Sequence, residues 1–438
     1  VEPDGGAAGA HREGVARARC EGRGAVKVRR GFKYRLYPTP EQVARIEAWE
    51  NALRFLWNLA HGQRVAMGRR CRVDRKRITA FGQINELTEL RAMLPWLADV
   101  PRNVCAQMLV ELDEAWQRYF NGSSGTPLFK AKGHDRAAMA EPHPQSFRAE
   151  SGAIIFPKLG RIPAVIHRPI VGKPKQCAIV RDGDQWFACV TVEQEIADPA
   201  PSTLPPVALD MGITRLITDS NGGVVENPRH AAKMQPRLTR AQRTVARRKK
   251  GSKNHAKAKL KAARLQRKVR RQREHALHVA SHHYAKSHGT VIVEALNITG
   301  MSKSARGTVD APGVNVAAKR GLNREIQRAG WGRFVTMLKY KAIPLGGRVV
   351  EVPPHHSSQT CSACGCVDSE SRRSQASFVC TACGHADNAD VNAARVLLVR
   401  GLSKIAVETT VTVCGGFATG RPAKQKLRVV RRGPVARS

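Results

Sequence analysis

The chain has 438 residues, 42% of them hydrophobic, enough for two or three compact units with real cores and too many for a disordered polycation. Lys and Arg number 74 against 35 Asp and Glu, a formal net charge of +39. Self-repulsion of that size destabilises a compact protein unless a polyanion offsets it, so a large nucleic acid is the economical partner. No apolar run approaches the ~20 residues of a membrane span. Residues 1–25 read as a flexible Gly/Ala/Arg-rich leader without the apolar centre of a signal peptide. Eleven cysteines, four in paired C-x-x-C spacing and most others alone, point to metal binding in a reducing cytoplasm rather than to disulfides.

In chain order, Val26 to Leu36 alternates basic and apolar residues, a strand with one basic face. Thr39 precedes Pro40 as an N-cap, and residues 41–121 follow as helices, the last from about Pro101 to Phe120. Residues 152–195 return to β pattern, with a hairpin around Asp182-Gly183 that could close a small barrel with the first strand. The Pro-rich stretch 199–206 reads as a linker. Two buried strands follow within 207–226. Residues 227–273 hold nineteen Lys/Arg and no acid, and their spacing predicts an antiparallel basic helix pair turning at 251–254. Strands are predicted at 290–297 and 347–352, a mobile Gly/Ala/Ser-rich segment at 303–320 and one helix from about Asn323 to Lys341. A final helix begins in ADVNAA before a basic tail.

Three carboxylates stand out by setting. Asp210 ends the apolar strand PPVALD, Glu294 ends TVIVE, and Asp390 opens the last helix, with Asp387 three residues earlier as its rival. A buried strand seldom ends on an unpartnered charge. Acids brought together are relieved by Mg²⁺, which takes hard oxygen ligands, and two such ions suit phosphodiester cleavage. Cys361, Cys364, Cys380 and Cys383 lie at C-x-x-C spacing with fifteen residues between the pairs, the pattern of a structural zinc ribbon, and Gly365 and Gly384 let each knuckle turn back. In the basic helix pair, Arg247, Arg248, Lys249, Lys250, Lys253 and Lys257 surround the turn without a compensating acid, so a phosphate backbone is the expected counter-surface.

FKYRLYPTPEQ, LPWLADVP, GTPLFKAKG, VALDMGIT, RRKKGSKN, VIVEALNITGM, AGWGRF, SSQTCSACG, FVCTACGH and ADVNAARVLL, from about residue 27 to 400, resemble successive motifs of the transposon-encoded TnpB family, in family order. The resemblance implies an α/β and α+β multidomain protein. A wedge β-barrel would lie at 26–40 and 128–198, and a helical recognition domain at 41–127. A split RuvC domain of RNase H type would lie at 205–360, with the basic helix pair at 237–280. It would be interrupted by the zinc ribbon at 361–384 and completed at 385–402, with a basic tail at 403–438. It also implies a bacterial or archaeal RNA-guided DNA endonuclease of the cytoplasm and nucleoid; the sequence does not give the oligomeric state, and a monomer is favoured. Its partners would be a guide RNA and double-stranded target DNA. Its triad would be Asp210, Glu294 and Asp390 with two Mg²⁺ ions, and its ribbon would hold one Zn²⁺. HADNADVNAA departs from the family pattern between its aspartates. Miniature type V CRISPR effectors share the motif set. An RNA-guided binder that does not cut, and a strand-joining transposase, are the readings from other classes.

Overall fold

A computed structural model describes residues 25–74, 78–132, 139–197, 199–308, 310–374 and 376–414. The expected leader therefore falls outside the described residues apart from Ala25, as does the tail from 415 onward. The chain divides into two compact units, residues 1–200 with 229–276 and residues 201–228 with 277–438.

The first unit begins with β1 (Ala25–Leu36), which Thr39 separates from the long helix α1 (Pro40–Asp74). The Thr39 hydroxyl accepts from the Gln42 amide at 3.2 Å while Gln42 Oε1 accepts from the Thr39 amide at 3.0 Å. This is a reciprocal capping box, with Pro40 where a helix tolerates a missing N–H. Helices α2 (Ala80–Met93), α3 (Pro95–Ala98) and α4 (Arg102–Phe120) complete the helical part, and Trp49, Leu53, Leu87, Leu97 and Leu109 fill its core.

Strands β2 (Met139–Glu141), β3 (Arg148–Glu150), β4 (Ala153–Phe156), β5 (Gly160–Val165), β6 (Lys173–Asp182) and β7 (Gln185–Ala197) join β1 in one sheet, in the order β2-β6-β7-β1-β5-β4-β3. The sheet is open, which corrects the expected barrel. Its edge strands β2 and β3 have three residues each and do not pair with one another. β1 pairs with β7 from Ala25↔Ala197 to Leu36↔Trp186 but meets β5 only at Arg35↔Val165 and Leu36↔Ala164. The β6–β7 hairpin turns through Gly183, at φ 66°, and Asp184, one residue later than expected, since Asp182 still pairs with Gln185. The basic helices α5 (His230–Arg247) and α6 (Lys253–Ser287) meet at a turn containing Gly251, φ 86°.

The second unit is built on a five-stranded sheet. It comprises β8 (Val207–Asp210), β9 (Arg215–Asp219), β10 (Val224–Glu226), β11 (Thr290–Glu294) and β12 (Arg348–Val352), in the order β10-β9-β8-β11-β12. β8, β11 and β12 run parallel, while on one side β9 runs antiparallel to β8 and β10 antiparallel to β9. After the short α7 (Ile298–Met301), the helix expected between Asn323 and Lys341 is two helices, α8 (Val316–Ala329) and α9 (Trp331–Ala342). The break is Gly330, whose φ of 73° ends α8 in the left-handed conformation that glycine adopts without strain. The segment 303–320, expected to be mobile, already contains the start of α8. A two-stranded ribbon, β13 (Ser377–Val379) with β14 (Ala386–Asn388), leads into α10 (Ala389–Cys414). That helix runs twelve residues past 402, through a stretch free of proline and glycine up to Gly415.

Candidate functional site

β8 and β11 are parallel neighbours paired Val207↔Val291, Ala208↔Ile292 and Leu209↔Val293. The next residues in register are Asp210 and Glu294. Side chains alternate between the faces of a strand. Val207, Leu209, Val291 and Val293 pack with Tyr284, Phe334 and Leu338, whereas Ala208 and Ile292 pack with Leu397 of α10. Asp210 and Glu294, two residues beyond Ala208 and Ile292, therefore share the α10 face. They stand at the carboxyl ends of parallel strands, where open α/β sheets place their sites. Asp390 lies in the first turn of α10.

The helix is held close to the sheet. A Cβ on Gly401 would come within 2.5 Å of Ile292 Cδ1, so only a residue without one lets α10 approach β11 so closely. At the start of the helix, Asn388 Oδ1 accepts from the Asp390 amide at 3.1 Å, which orients that turn.

The carboxylates act on one another. Burial, then the charges of Glu294 and Asp390, push the Asp210 carboxyl up to about 7, with Arg372 opposing. Burial also raises Glu294, against a hydrogen bond from Ser357 and the charge of Arg400. Ser357 Oγ donates to Glu294 Oε1 at 3.0 Å, and Arg372 Nη2 lies 3.3 Å from Asp390 Oδ1. Three carboxylates, one of them raised first by burial and then by the charges of the other two, are the hard donor set that a divalent ion takes. The three are spaced more widely than the cysteines described below. Asp387 is engaged elsewhere, 2.6 Å from Arg395 Nη1, and is not among the charges that raise Asp210.

Among the described residues, Cys361, Cys364, Cys380 and Cys383 form the one group whose potential ligand atoms all lie within 4.8 Å of each other. The two C-x-x-C turns repeat the same hydrogen bonds. Gly365 N donates to Cys361 O and Gly384 N to Cys380 O, both at 3.0 Å, while Cys361 N donates to Cys366 O and Cys380 N to His385 O. Gly365 and Gly384 take φ of 77° and 72°, as the turn requires. Cys366 therefore contributes a carbonyl and stays outside the group. Phe378 and Ala389 are buried against Cys361 and Cys380, which ties the cluster to the start of α10. The cluster fits zinc.

All six basic residues expected to contact nucleic acid, Arg247, Arg248, Lys249, Lys250, Lys253 and Lys257, are exposed around the α5–α6 turn. Further along α6 the protein supplies its own anions. Arg267 and Arg264 reach Asp184 at 2.6 and 2.8 Å, and Arg270 pairs with Asp182. These partners, like Ser357, Arg372 and Arg400, were missed from sequence. The acidic DGD at a hairpin turn was the only available hint of the first set.

Residues 187–305 match a family described as "Probable transposase", residues 331–397 one described as "Cas12f1-like, TNB domain", and residues 28–64 one described as "Helix-turn-helix domain". Here that last stretch is most of β1 and the first part of α1. An Escherichia coli K12 protein provisionally named RNA-guided DNA endonuclease InsQ is 33% identical over 399 residues, 90% of this chain and 96% of that protein. A Streptomyces pristinaespiralis protein with the same provisional description is 31% identical over 92% of this chain and 95% of its own length. The cryo-EM structure of a Cas12f1–sgRNA–target DNA complex shares the fold, with a TM-score of 0.50 and 12% identity over 85% of this chain and 98% of that one. No helix among the described residues is long and apolar enough to cross a membrane.

Proposed function

Because the chain belongs to the TnpB family of transposon-encoded proteins, we propose that it is an RNA-guided DNA endonuclease that cuts at one centre formed by Asp210, Glu294 and Asp390. The observation that carries this reading is the pairing of β8 with β11. It sets two acids at one register position on the α10 face, where burial first, and then the charges of Glu294 and Asp390, push Asp210 up to about 7. The parallel β8, β11 and β12, flanked by β9 and β10, support a RuvC core of RNase H type.

Asp210, Glu294 and Asp390 would hold two Mg²⁺ ions, which when bound supply Lewis-acid stabilisation at the attacked phosphate and the leaving oxygen. Asp210 gives up its proton to become a ligand. Ser357 holds Glu294 in one orientation, and Arg372 balances charge at Asp390. Cys361, Cys364, Cys380 and Cys383 would hold one Zn²⁺. Four thiolates leave no open position, so that ion is structural and steadies the helix bearing Asp390. The charge of +39 and the exposed Arg247, Arg248, Lys249, Lys250, Lys253 and Lys257 suit a guide RNA, with double-stranded DNA as the target. The protein works as a monomer in the bacterial or archaeal cytoplasm and nucleoid.

The test is to purify the chain, sequence the RNA it retains, and assay matched DNA with and without Mg²⁺. Glu294→Gln abolishes cutting and keeps the RNA. Loss of RNA in that variant would mark Glu294 as structural, and strand-transfer products would mean a transposase instead.

A further inference from the structure

The tip of the β6–β7 hairpin, Asp182-Gly183-Asp184, sets two carboxylates against α6, in a stretch of chain (227–273) that has no acid of its own. Arg267 Nη1 donates to the Asp182 carbonyl at 2.7 Å and to Asp184 Oδ1 at 2.6 Å. Arg264 Nε donates to Asp184 Oδ2 at 3.0 Å, and Arg270 pairs with Asp182. The contact is close. A Cβ on Gly183, which stands at φ 66°, would lie 3.0 Å from Arg267 Nη1 and 3.8 Å from Ala263 Cβ, so the tip rests on the helix at a residue that glycine alone supplies without strain. It is also largely dry, the side chains of Arg267 and Asp182 being 9% and 10% exposed. The hydrogen bond from Arg267, opposed in part by burial, and then that from Arg264 hold the Asp184 carboxyl down to about 2, so it stays an anion near neutral pH. Lys257, Lys261 and Lys268 of the same helix are exposed and have no carboxylate partner among the described residues.

Arginine takes a phosphate with the same donors that it offers a carboxylate, so a tip that fills those donors competes with nucleic acid for the same side chains. The tip belongs to the same chain and is always at hand, whereas a phosphate must come from solution. Displacing it would strip the buried Arg267 of its counter-charge, the costly way to break such a pair. Arg264 and Arg270 are more exposed, at 58% and 41%, yet each is tied to a carboxylate of the tip. We propose that Asp182 and Asp184 are specificity residues, a permanent internal stand-in for phosphate that withholds Arg264, Arg267 and Arg270 from nucleic acid. The benefit follows from the charge of +39. Every unanswered cation on a surface helix adds affinity for any polyanion regardless of sequence, and three fewer narrow the surface on which unrelated DNA or RNA can bind. The inference rests on the nucleic-acid binding proposed above and not on cleavage.

The experiment follows binding of a labelled DNA duplex of unrelated sequence to the full chain from low to moderate salt. Each phosphate contact contributes about 0.9 to the log–log slope, so Asp182→Asn with Asp184→Asn, which frees Arg264 and Arg270, steepens it by about 1.8. Arg264→Gln with Arg270→Gln leaves the wild-type slope, and all four substitutions together return to it. Glu86→Gln with Glu89→Gln removes the same two charges from exposed acids outside any ion pair among the described residues, and changes nothing. An unchanged slope in the folded Asn pair overturns the inference, because the acids would then only brace the helix. Equal steepening in the Glu86 and Glu89 control overturns it too, by making the effect one of overall charge. A slope shallower by about 1.8 in the Arg264 and Arg270 pair would place both on phosphate in the wild type. That pair keeps the buried Arg267 contact, so it decides the question even where the Asn pair fails to fold. A wild-type chain that binds neither duplex nor RNA defeats the function proposed above, whereas binding gained in the Asn pair would still uphold this inference and no gain there would overturn it.

Discussion

Arg372 Nη2 lies 3.3 Å from Asp390 Oδ1, and its charge also bears on Asp210, so one arginine from the cysteine-bearing segment balances two of the three acids. Removing it pushes the Asp210 carboxyl further up. Asp210 must be deprotonated to act as a ligand, so cleavage rises with pH, along a limb at or below about 7 where bound cations favour the ionised form. In Arg372→Ala the limb shifts to higher pH and Mg²⁺ affinity at pH 7 falls several-fold, while Arg372→Lys keeps the limb near its place. A pH–rate profile of the three proteins decides it, and identical limbs would remove Arg372 from the electrostatics of the site.

The same shift has a folding consequence. Asp210 is raised from an ordinary value of 3.8 to about 7, so the folded chain holds this proton more tightly than the unfolded chain does. That contribution is fully present below about pH 4 and is lost as pH rises through about 7. In Mg²⁺-free buffer, Asp210→Asn gains melting temperature relative to wild type between pH 5 and pH 8, and added Mg²⁺ narrows the gap by stabilising only the wild type. Calorimetry at fixed zinc reads this directly. A gap constant with pH would mean that Asp210 is not buried among acids.

Ser357 Oγ fixes Glu294 Oε1 at 3.0 Å. Groups that orient a metal-binding side chain typically account for about 10–100-fold in metal affinity or activity. Ser357→Ala accordingly loses cleavage by a factor in that range, recovered in part at high Mg²⁺, with RNA retention unchanged. A loss that no Mg²⁺ concentration recovers would place the effect on folding.

Features decided within a few residues were legible. The alternation from Val26 to Leu36, the Thr39-Pro40-Glu41-Gln42 cap, and the acids at the ends of β8 and β11 all follow from local pattern. The glycines after each cysteine pair are equally local, because a C-x-x-C knuckle needs a left-handed residue there. Pairing across distance was not legible. Ser357 is 63 residues from Glu294, and Arg267 is 83 from Asp184, so nothing in the spacing joins them. The barrel failed for a related reason, because closure depends on the lengths of edge strands that composition does not limit. Gly330 divided a helix whose apolar spacing continues across the break, so periodicity alone ran through it.

Gly401 tests how closely α10 must lie on the sheet. A methyl group there would meet Ile292 Cδ1 and Cγ1 at 2.5 Å and Cγ2 at 2.7 Å. Overpacking of this kind costs about 1–3 kcal/mol. Gly401→Ala lowers the melting temperature and reduces cleavage by moving the helix that carries Asp390, and the same substitution costs less when made in an Ile292→Ala background, where its contact is already gone. An equal cost in both backgrounds would show that the glycine serves the backbone rather than the contact.

The cysteine cluster makes the sharpest demand, because it links metal content to catalysis at a distance. Cys361 and Cys380 are buried with Phe378 and Ala389, the residue immediately before Asp390, and Asn392 Oδ1 accepts from the Ser362 amide at 2.9 Å. Loss of one thiolate opens the coordination and releases this packing, and a displacement of about 1 Å at a reacting group can cost about 100-fold in rate. Cys380→Ser therefore takes zinc from one ion per chain to none, by elemental analysis, and lowers cleavage about tenfold or more. The helical core around Trp49, in the other unit, keeps its protection against hydrogen exchange. Cys366→Ser, which removes only a thiol outside the group, keeps both zinc and activity. Full activity in a zinc-free Cys380→Ser protein would show that Asp390 is held by α10 and the sheet alone.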